Sequence, residues 1–268
     1  MPLTLVLNGA EARLQIVCGR GTELLFSEEW FTPRHGMRVL LPALTDALAR
    51  ADLPLSALER IAVVRGPGSF TGLRLVLATA LGLARALNIP MGGIGYLDAL
   101  ATDAAGACPP PLSANSPTPL WVLTHARRGI VHLQGFHAGA NAAGVRTVVP
   151  FCPPDAASLE TAAARIAASA PQSTSPCPIL AGSGVIKNHE FFHESLSQAW
   201  LLPERFLHVA PETLLRLSSL TEYGVAPVDP LYIRPCDAEE NLDSIVVRQG
   251  MDPATARAAL ARFTSRSH

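Results

Sequence analysis

Short apolar segments alternate with polar turns along the first part of the chain. Residues 3–8 and 13–18 are apolar and lie on either side of Asn8-Gly9-Ala10-Glu11. Asn-Gly between two apolar segments predicts a β-hairpin, because both residues tolerate positive φ. The same pattern predicts further strands at about 22–29, 60–65 and 90–94, and helices at about 36–51, 69–87 and 96–105.

The pattern repeats after residues 106–119, which contain five prolines and small polar residues and therefore predict a linker or loop. Strands are predicted at 120–124, 130–136, 145–149 and 179–181, and helices at about 155–169, 187–199, 211–223 and 253–264. Asp252 is expected to cap the last of these helices. Three strands followed by helices thus occur twice, which indicates mixed α/β layers with a duplicated architecture.

The chain is organised around the stretch 65–87. The turn Gly66-Pro67-Gly68 follows a predicted strand, and Ser69 or Thr71 is expected to cap the helix behind it. Small residues mark one side of this helix, at Gly72, Ala78, Thr79, Gly82 and Ala86. An apolar stripe adjoins them, at Leu73, Leu77, Ala80, Leu81 and Ala84. A helix that is apolar nearly all round requires burial on several sides, against the protein's own core, a second chain or both.

This stretch also carries a resemblance to a known family. The sequence Gly66-Pro67-Gly68-Ser69-Phe70-Thr71-Gly72-Leu73-Arg74, followed by the small-residue helix, is similar to the signature of the TsaB (YeaZ) family. Looser matches are Pro33-Arg34-His35 leading to Leu40-Leu41-Pro42, Leu180-Ala181-Gly182-Ser183-Gly184, and Pro230-Leu231-Tyr232-Ile233-Arg234. The resemblance covers roughly residues 3–236 and is tight only at 65–87.

The resemblance implies a fold and a domain organisation. The family has the duplicated actin/sugar-kinase/Hsp70-like (ASKHA) fold, an α/β fold with two βββα-type halves. The expected organisation is therefore an N-terminal half over residues 1–105, a Pro-rich linker over 106–119, a C-terminal half over 120–235 and a tail over 236–268.

It also implies a function without catalysis. The family is the non-catalytic partner of the enzyme TsaD, which makes the threonylcarbamoyl-adenosine modification of ANN-decoding tRNAs, and a TsaE-like ATPase completes the machinery. Helices 36–51 and 69–87 are expected to pack against a TsaD-like partner, or against a second copy when the chain is alone. The expected interface residues are His35, Met37, Leu40, Leu41, Leu44, Ser69, Gly72, Leu75, Ala78, Thr79, Gly82, Leu83 and Ala86. Gly66, Pro67 and Gly68 are expected to form a structural turn.

Two departures from the related enzymes point the same way. ATP-using members of the superfamily carry an Asp in the first hairpin turn of each half, where this chain has Asn8 and His125. Neutral Asn does not hold a divalent cation as a carboxylate does, although Asn8-Gly9 is also simply a good turn. The metal-binding histidines of TsaD have no counterpart in 95–101. We therefore expect no catalytic residue, metal or cofactor in this chain, and we assign it no nucleotide contact, ATP being possible at or near the complex.

Enzymes of two other kinds remain as alternatives. A degenerate ATP-binding enzyme of the same superfamily is one. A zinc peptidase is the other, because His189-Glu190-Phe191-Phe192-His193 has the H-E-x-x-H pattern, with a third ligand to be sought at His208 or Glu212. The predicted helix there is short and its phenylalanines are typical of core packing. A homodimer with a role outside tRNA modification is a further alternative.

Composition limits the partners. Of 268 residues, 49% are hydrophobic and 16% charged, and the formal net charge is −1. A strong RNA-binding protein needs a basic excess, so we expect contact with tRNA to be indirect. Five scattered cysteines without C-x-x-C argue against a disulfide framework or a thiolate zinc site. The longest apolar stretch, 72–90, contains Arg74 and Arg85, so a cytoplasmic protein without membrane spans is expected.

Overall fold

Two β-sheets with the same strand order form the framework of the protein. The computed structural model describes residues 1–31, 36–108, 118–140, 146–169, 177–233, 246–247, 250 and 252–257. The strands of the first sheet are β1 (Leu3–Asn8), β2 (Arg13–Arg20), β3 (Glu23–Phe31), β4 (Arg60–Gly66) and β5 (Met91–Gly95). They lie in the order β3-β2-β1-β4-β5, with β1, β2 and β3 antiparallel and β4 and β5 parallel to β1.

The second sheet repeats this plan. Its strands are β6 (Thr118–Arg127), β7 (Ile130–Ala140), β8 (Arg146–Pro150), β9 (Asp155–Ser158), β10 (Ile179–Ala181) and β11 (Trp200–Leu201). The order is β11-β10-β6-β7-β8, and β9 pairs with β7 beside this path. Strands β6, β7 and β8 form an antiparallel meander. On the other side of β6 lie β10 and β11, which run parallel to it, as β4 and β5 run parallel to β1 in the first sheet. The predicted duplication of architecture is thereby confirmed.

Helices cover the sheets. They are α1 (Gly36–Arg50), α2 (Phe70–Leu87), α3 (Tyr96–Ala104), α4 (Leu159–Ser169), α5 (Ser183–Lys187), α6 (His189–Ser195) and α7 (Pro211–Leu220). Helix α2 lies against β4 and β1, and α7 lies against β2, β3 and α3. One hydrophobic cluster runs from Leu5 and Val63 in the first sheet through Leu97 of α3 to Leu120 and Phe136 in the second.

Two helices predicted in the second half have different bounds. The predicted helix at 155–169 begins only at Leu159, because residues 155–158 pair with β7 as β9. Ser158 then accepts a bond from the backbone N–H of Thr161. The helix predicted at 187–199 is shorter than expected and is α6, His189–Ser195. A separate short helix, α5, precedes it, and the two meet at Asn188, whose side chain donates to the carbonyl oxygen of Gly184 at 2.7 Å.

The chain divides into two compact units, Met1–Leu231 and Tyr232–His268. Both sheets belong to the first unit, and the predicted boundaries between two halves within it stay a prediction. Residues 109–117 of the predicted linker lie outside the described residues. In the second unit, residues 253–257 are helical and the carboxylate of Asp252 accepts a bond from the backbone N–H of Thr255 at 3.0 Å, as a helix cap does.

The glycine turn packs directly on the first hairpin. Strand β4 ends at Gly66, which has φ +116°, and α2 begins after Ser69, whose hydroxyl accepts a bond from the backbone N–H of Gly72. Ser69, and not Thr71, is therefore the cap. A Cβ at Gly68 would overlap the carbonyl group of Ala10, and a Cβ at Gly72 would overlap the carbonyl oxygen of Gly9. The absence of side chains at these two positions lets the turn and the hairpin touch backbone to backbone.

We predict that Gly72→Ala destabilises the protein by about 1–3 kcal/mol, because the added methyl group forces α2 and the hairpin apart. The matched control is Gly82→Ala in the same helix, where an added Cβ meets nothing within 4 Å. Alanine there should stabilise the helix by roughly 0.5–1 kcal/mol. Urea unfolding of the two variants measures both effects, and equal midpoints would contradict the assigned contact.

Candidate partner surface and Glu11 cluster

The outer face of α2 carries three small residues, and Arg74 and Arg85 of the same helix are also exposed. Ala78, Gly82 and Ala86 are exposed, whereas Leu73 and Ala80 on the opposite face are buried against the sheet. Leu75, Thr79 and Leu83 lie at the boundary and are half-buried. Helix α1 contacts α2, and its Leu41 leaves 51% of its surface exposed. We call the outward-facing residues Leu41, Ala78, Gly82 and Ala86 the small-residue surface.

Helix α2 is also the one helix in the described part of the chain that is long and apolar enough, by length and composition, to cross a membrane. A helix that packs on its own sheet meets the same criteria. Helix α2 is capped by Ser69 and packs against β4 and β1, as a helix within a folded domain does. An apolar helix with one uncovered face is thus the feature that needs an explanation.

Four residues predicted for the interface are used inside the chain. Leu40 and Leu44 are 0% and 1% exposed and belong to the core of the first sheet, so the prediction that they contact a partner is wrong. Gly72 is needed for the contact with Gly9. Ser69 is exposed but serves as the cap of α2. His35 and the side chain of Met37 lie outside the described residues.

A second feature of the first unit is a largely buried carboxylate, with 13% of its side-chain surface exposed. Glu11 lies in the loop between β1 and β2 and accepts a hydrogen bond on Oε2 from the hydroxyl of Tyr96 at 2.7 Å. Its Oε1 accepts a hydrogen bond from the hydroxyl of Ser183. The Nδ1 atom of His208 lies 3.5 Å from Oε2. We call Glu11, Tyr96, Ser183 and His208 the Glu11 cluster.

The charge of this cluster follows from its contacts. Burial by itself would raise the pKa of Glu11, but the hydrogen bonds from His208, Ser183 and Tyr96 outweigh it, and the net pKa is lowered. Burial, together with the charge of Glu11, raises the pKa of Tyr96 well above its ordinary value. Glu11 is therefore an ionised acceptor and Tyr96 a neutral donor at neutral pH.

The sequence pattern missed Glu11. A glutamate just after Asn-Gly is typical of an exposed hairpin loop, and none of its partners is close to it in the chain. Tyr96 begins α3, Ser183 begins α5, and His208 precedes α7. The one available signal was Gly182-Ser183-Gly184, which is part of a loose match to the TsaB (YeaZ) family.

Asn8 and His125 stand at the two hairpin positions where ATP-using members of the superfamily carry Asp. Both form hydrogen bonds within the chain. The amide of Asn8 donates to Gln15 Oε1 at 2.6 Å and accepts from the backbone N–H of Ala10 at 3.0 Å, so both of its ends serve the turn. The backbone N–H of His125 donates to the hydroxyl of Ser183 at 2.9 Å. Burial and the nearby Lys187 lower the pKa of the His125 ring.

The H-E-x-x-H stretch forms helix α6. His189 and His193 stack with ring centroids 6.0 Å apart and are exposed, while Phe192 is buried and Phe191 half-buried, as core packing predicts. Within the described ranges, no group of three or more His, Cys, Asp or Glu side chains is placed to hold a metal ion. His208, considered as a third ligand, faces Glu11.

Comparison with known proteins begins with family models. The model described as "TsaD: tRNA N6-adenosine threonylcarbamoyltransferase" matches residues 31–143, which include α1 and α2. An uncharacterized protein of Mycobacterium tuberculosis is 33% identical over 200 residues, which are 75% of this chain and 75% of that protein. The TsaB protein of Escherichia coli, named for tRNA threonylcarbamoyladenosine biosynthesis, is 38% identical over 72 residues, 27% of this chain and 31% of that protein.

The matched regions differ greatly in extent. The chain spans only 19% of a tRNA N6-adenosine threonylcarbamoyltransferase from Geotalea daltonii and 26% of an uncharacterized protein of Mycobacterium leprae. Among solved structures, YeaZ from Pseudomonas aeruginosa superposes with a TM-score of 0.64 at 23% identity, over 87% of this chain and 100% of that one. This likeness shows the fold, the duplicated actin/sugar-kinase/Hsp70-like one. Together with the GPGSFTGLR turn and the extended match to the mycobacterial relative, it leads to one assignment. The chain belongs to the TsaB (YeaZ) family.

Proposed function

We propose that this chain is a non-catalytic subunit that binds a TsaD-like threonylcarbamoyltransferase and supports threonylcarbamoyl-adenosine formation on ANN-decoding tRNAs. The observation that carries the proposal is the small-residue surface on α1 and α2. The names of the relatives support the pathway. The partner, the absence of catalysis and the oligomeric state are our inference.

The chemistry of the surface suits a helix from another protein. An added Cβ at Gly82 meets nothing within 4 Å, and Ala78 lies one turn away on the same exposed face. Small residues allow two helix backbones to approach closely, which increases the contact area of flanking side chains. Leu41 is an exposed apolar side chain on α1, the helix that contacts α2.

A TsaD-like protein is the partner that we expect on the small-residue surface, because the TsaD family is similar in sequence to part of this chain. The TsaD family model matches the region that contains α1 and α2, so the enzyme is expected to carry the same two helices. Two related proteins can then pair through matching faces about an approximate twofold axis, as identical subunits do in a dimer. Without the enzyme, the same surface would favour a homodimer, since exposed apolar patches promote association.

Several residues favour an assisting role over catalysis. Asn8 and His125 replace the aspartates of ATP-using relatives, and both amide ends of Asn8 are engaged within its own hairpin. With a net charge of −1, the chain has no basic excess for tRNA, which the enzyme would hold instead. We assign no cofactor to this chain. ATP would act in the cytoplasmic complex, together with a TsaE-like ATPase.

We predict a 1:1 complex when the chain is mixed with the TsaD-like protein of its own organism at micromolar concentration. Ala78→Arg should weaken it at least tenfold, because a long charged side chain separates the two helices. Ala164→Arg is the matched control, because Ala164 is an exposed alanine on α4, a helix outside the proposed surface. Light scattering gives the mass of each mixture. Equal complex formation by both variants would exclude the small-residue surface as the interface.

Two leucines three residues apart on α1 separate stability from binding. Leu44→Ala should cost about 2–5 kcal/mol of unfolding free energy, because its side chain is buried in the core. Leu41→Ala should change stability by no more than about 0.5 kcal/mol and should weaken the complex. Urea unfolding and partner titration give the two quantities. A Leu41 variant that binds as well as the parent chain would remove α1 from the proposed surface.

Reconstitution tests the role itself. The TsaD-like enzyme, the TsaE-like ATPase with ATP, the threonylcarbamoyl adenylate and an ANN-decoding tRNA should yield modified adenosine, detected by mass spectrometry, only when this chain is present. The chain with adenylate and tRNA alone should yield none. Transfer by the chain alone would show that it is an enzyme.

A further inference from the structure

The Glu11 cluster is not used by the proposed partner surface, and its construction calls for a separate explanation. The carboxylate of Glu11 takes its hydrogen bonds from donors 85 and 172 residues away in the chain. Burying a charged carboxylate is costly unless such donors are already in place. The question is therefore what holds the donors in position.

Tyr96 and Ser183 each make contacts besides the one with Glu11. Tyr96 is 1% exposed and is packed in the core at the start of α3. Ser183 is buried, and the backbone beside it packs closely on β6, where a Cβ at Gly182 would overlap the carbonyl oxygen of Leu123. The hydroxyl of Ser183 accepts a bond from the N–H of His125, which leaves its own hydrogen free to point at Glu11.

The backbone that carries Glu11 is also fixed independently. Asn8 closes the hairpin loop through the N–H of Ala10, and Gly68 and Gly72 press on the carbonyl groups of Ala10 and Gly9. Removal of the Glu11 side chain beyond Cβ should thus leave two hydroxyl donors and an imidazole around a vacated space.

We propose that Tyr96, Ser183 and His208 form a binding site for a carboxylate group, which the protein fills with its own Glu11. The site is specific for an anion that accepts several hydrogen bonds, since two hydroxyl groups donate into it from different directions. With Glu11 in place, it is closed to external acids, and the carboxylate joins the first hairpin to the second sheet's glycine turn. This inference does not depend on the proposed partner.

Chemical rescue tests the site. Glu11→Ala should lower the melting temperature, and acetate should restore part of it, because acetate supplies the two carbons and two oxygens that the substitution removes. At an acetate concentration ten times its Kd the expected gain is about 3 °C. Sodium chloride at equal ionic strength and the neutral analogue acetamide should not produce this gain, and the parent chain should not respond to acetate.

Two further variants keep the test decisive. Glu11→Gln fills the same volume without charge, so it should be less stable than the parent chain and insensitive to acetate. Glu11→Ala combined with Ser183→Ala removes a donor and should lose most of the acetate response. If Glu11→Ala does not fold in chloride, its refolding yield in acetate replaces the melting temperature. Equal stability of Glu11→Ala and the parent chain, or an equal acetate effect on both, would overturn the proposal.

Discussion

Direct backbone contact between the glycine turn and the first hairpin is the constraint on which the rest of the first unit depends. Gly68 and Gly72 lie against Ala10 and Gly9, and the N–H of Ser69 donates to the carbonyl oxygen of Ala10. The start of α2 and the loop that carries Glu11 are therefore fixed by one contact. A shift of either would move both the outer helix face and the buried carboxylate.

Much of the fold could be predicted from the sequence, because alternating apolar segments and Asn-Gly are local signals. The first hairpin, the glycine turn and the duplicated order of strands and helices follow from such signals. The predictions failed where pairing with a distant strand decided the structure. Residues 155–158 pair with β7, and Trp200 pairs with β10, and neither pairing leaves a local trace.

The candidate site was harder to predict for physical reasons. Helical periodicity places Leu40 and Leu44 on an apolar face, but it does not tell whether a sheet of the same chain or another protein covers that face. Gly72 and Gly82 are both small residues of α2, yet one touches the hairpin and the other faces outward. The position of Glu11 in the sequence gives no local sign of its role, since its partners come from three distant parts of the chain.

The wide spacing of the Glu11 cluster has a consequence for the order of folding. Glu11 leaves the ribosome early, whereas Tyr96 and Ser183 follow 85 and 172 residues later and His208 later still. Contacts between distant residues form slowly, because long loops must close first. The first sheet can therefore assemble while this carboxylate is still hydrated. We therefore expect its burial to accompany the joining of the two sheets, after Ser183 and His208 have been synthesised.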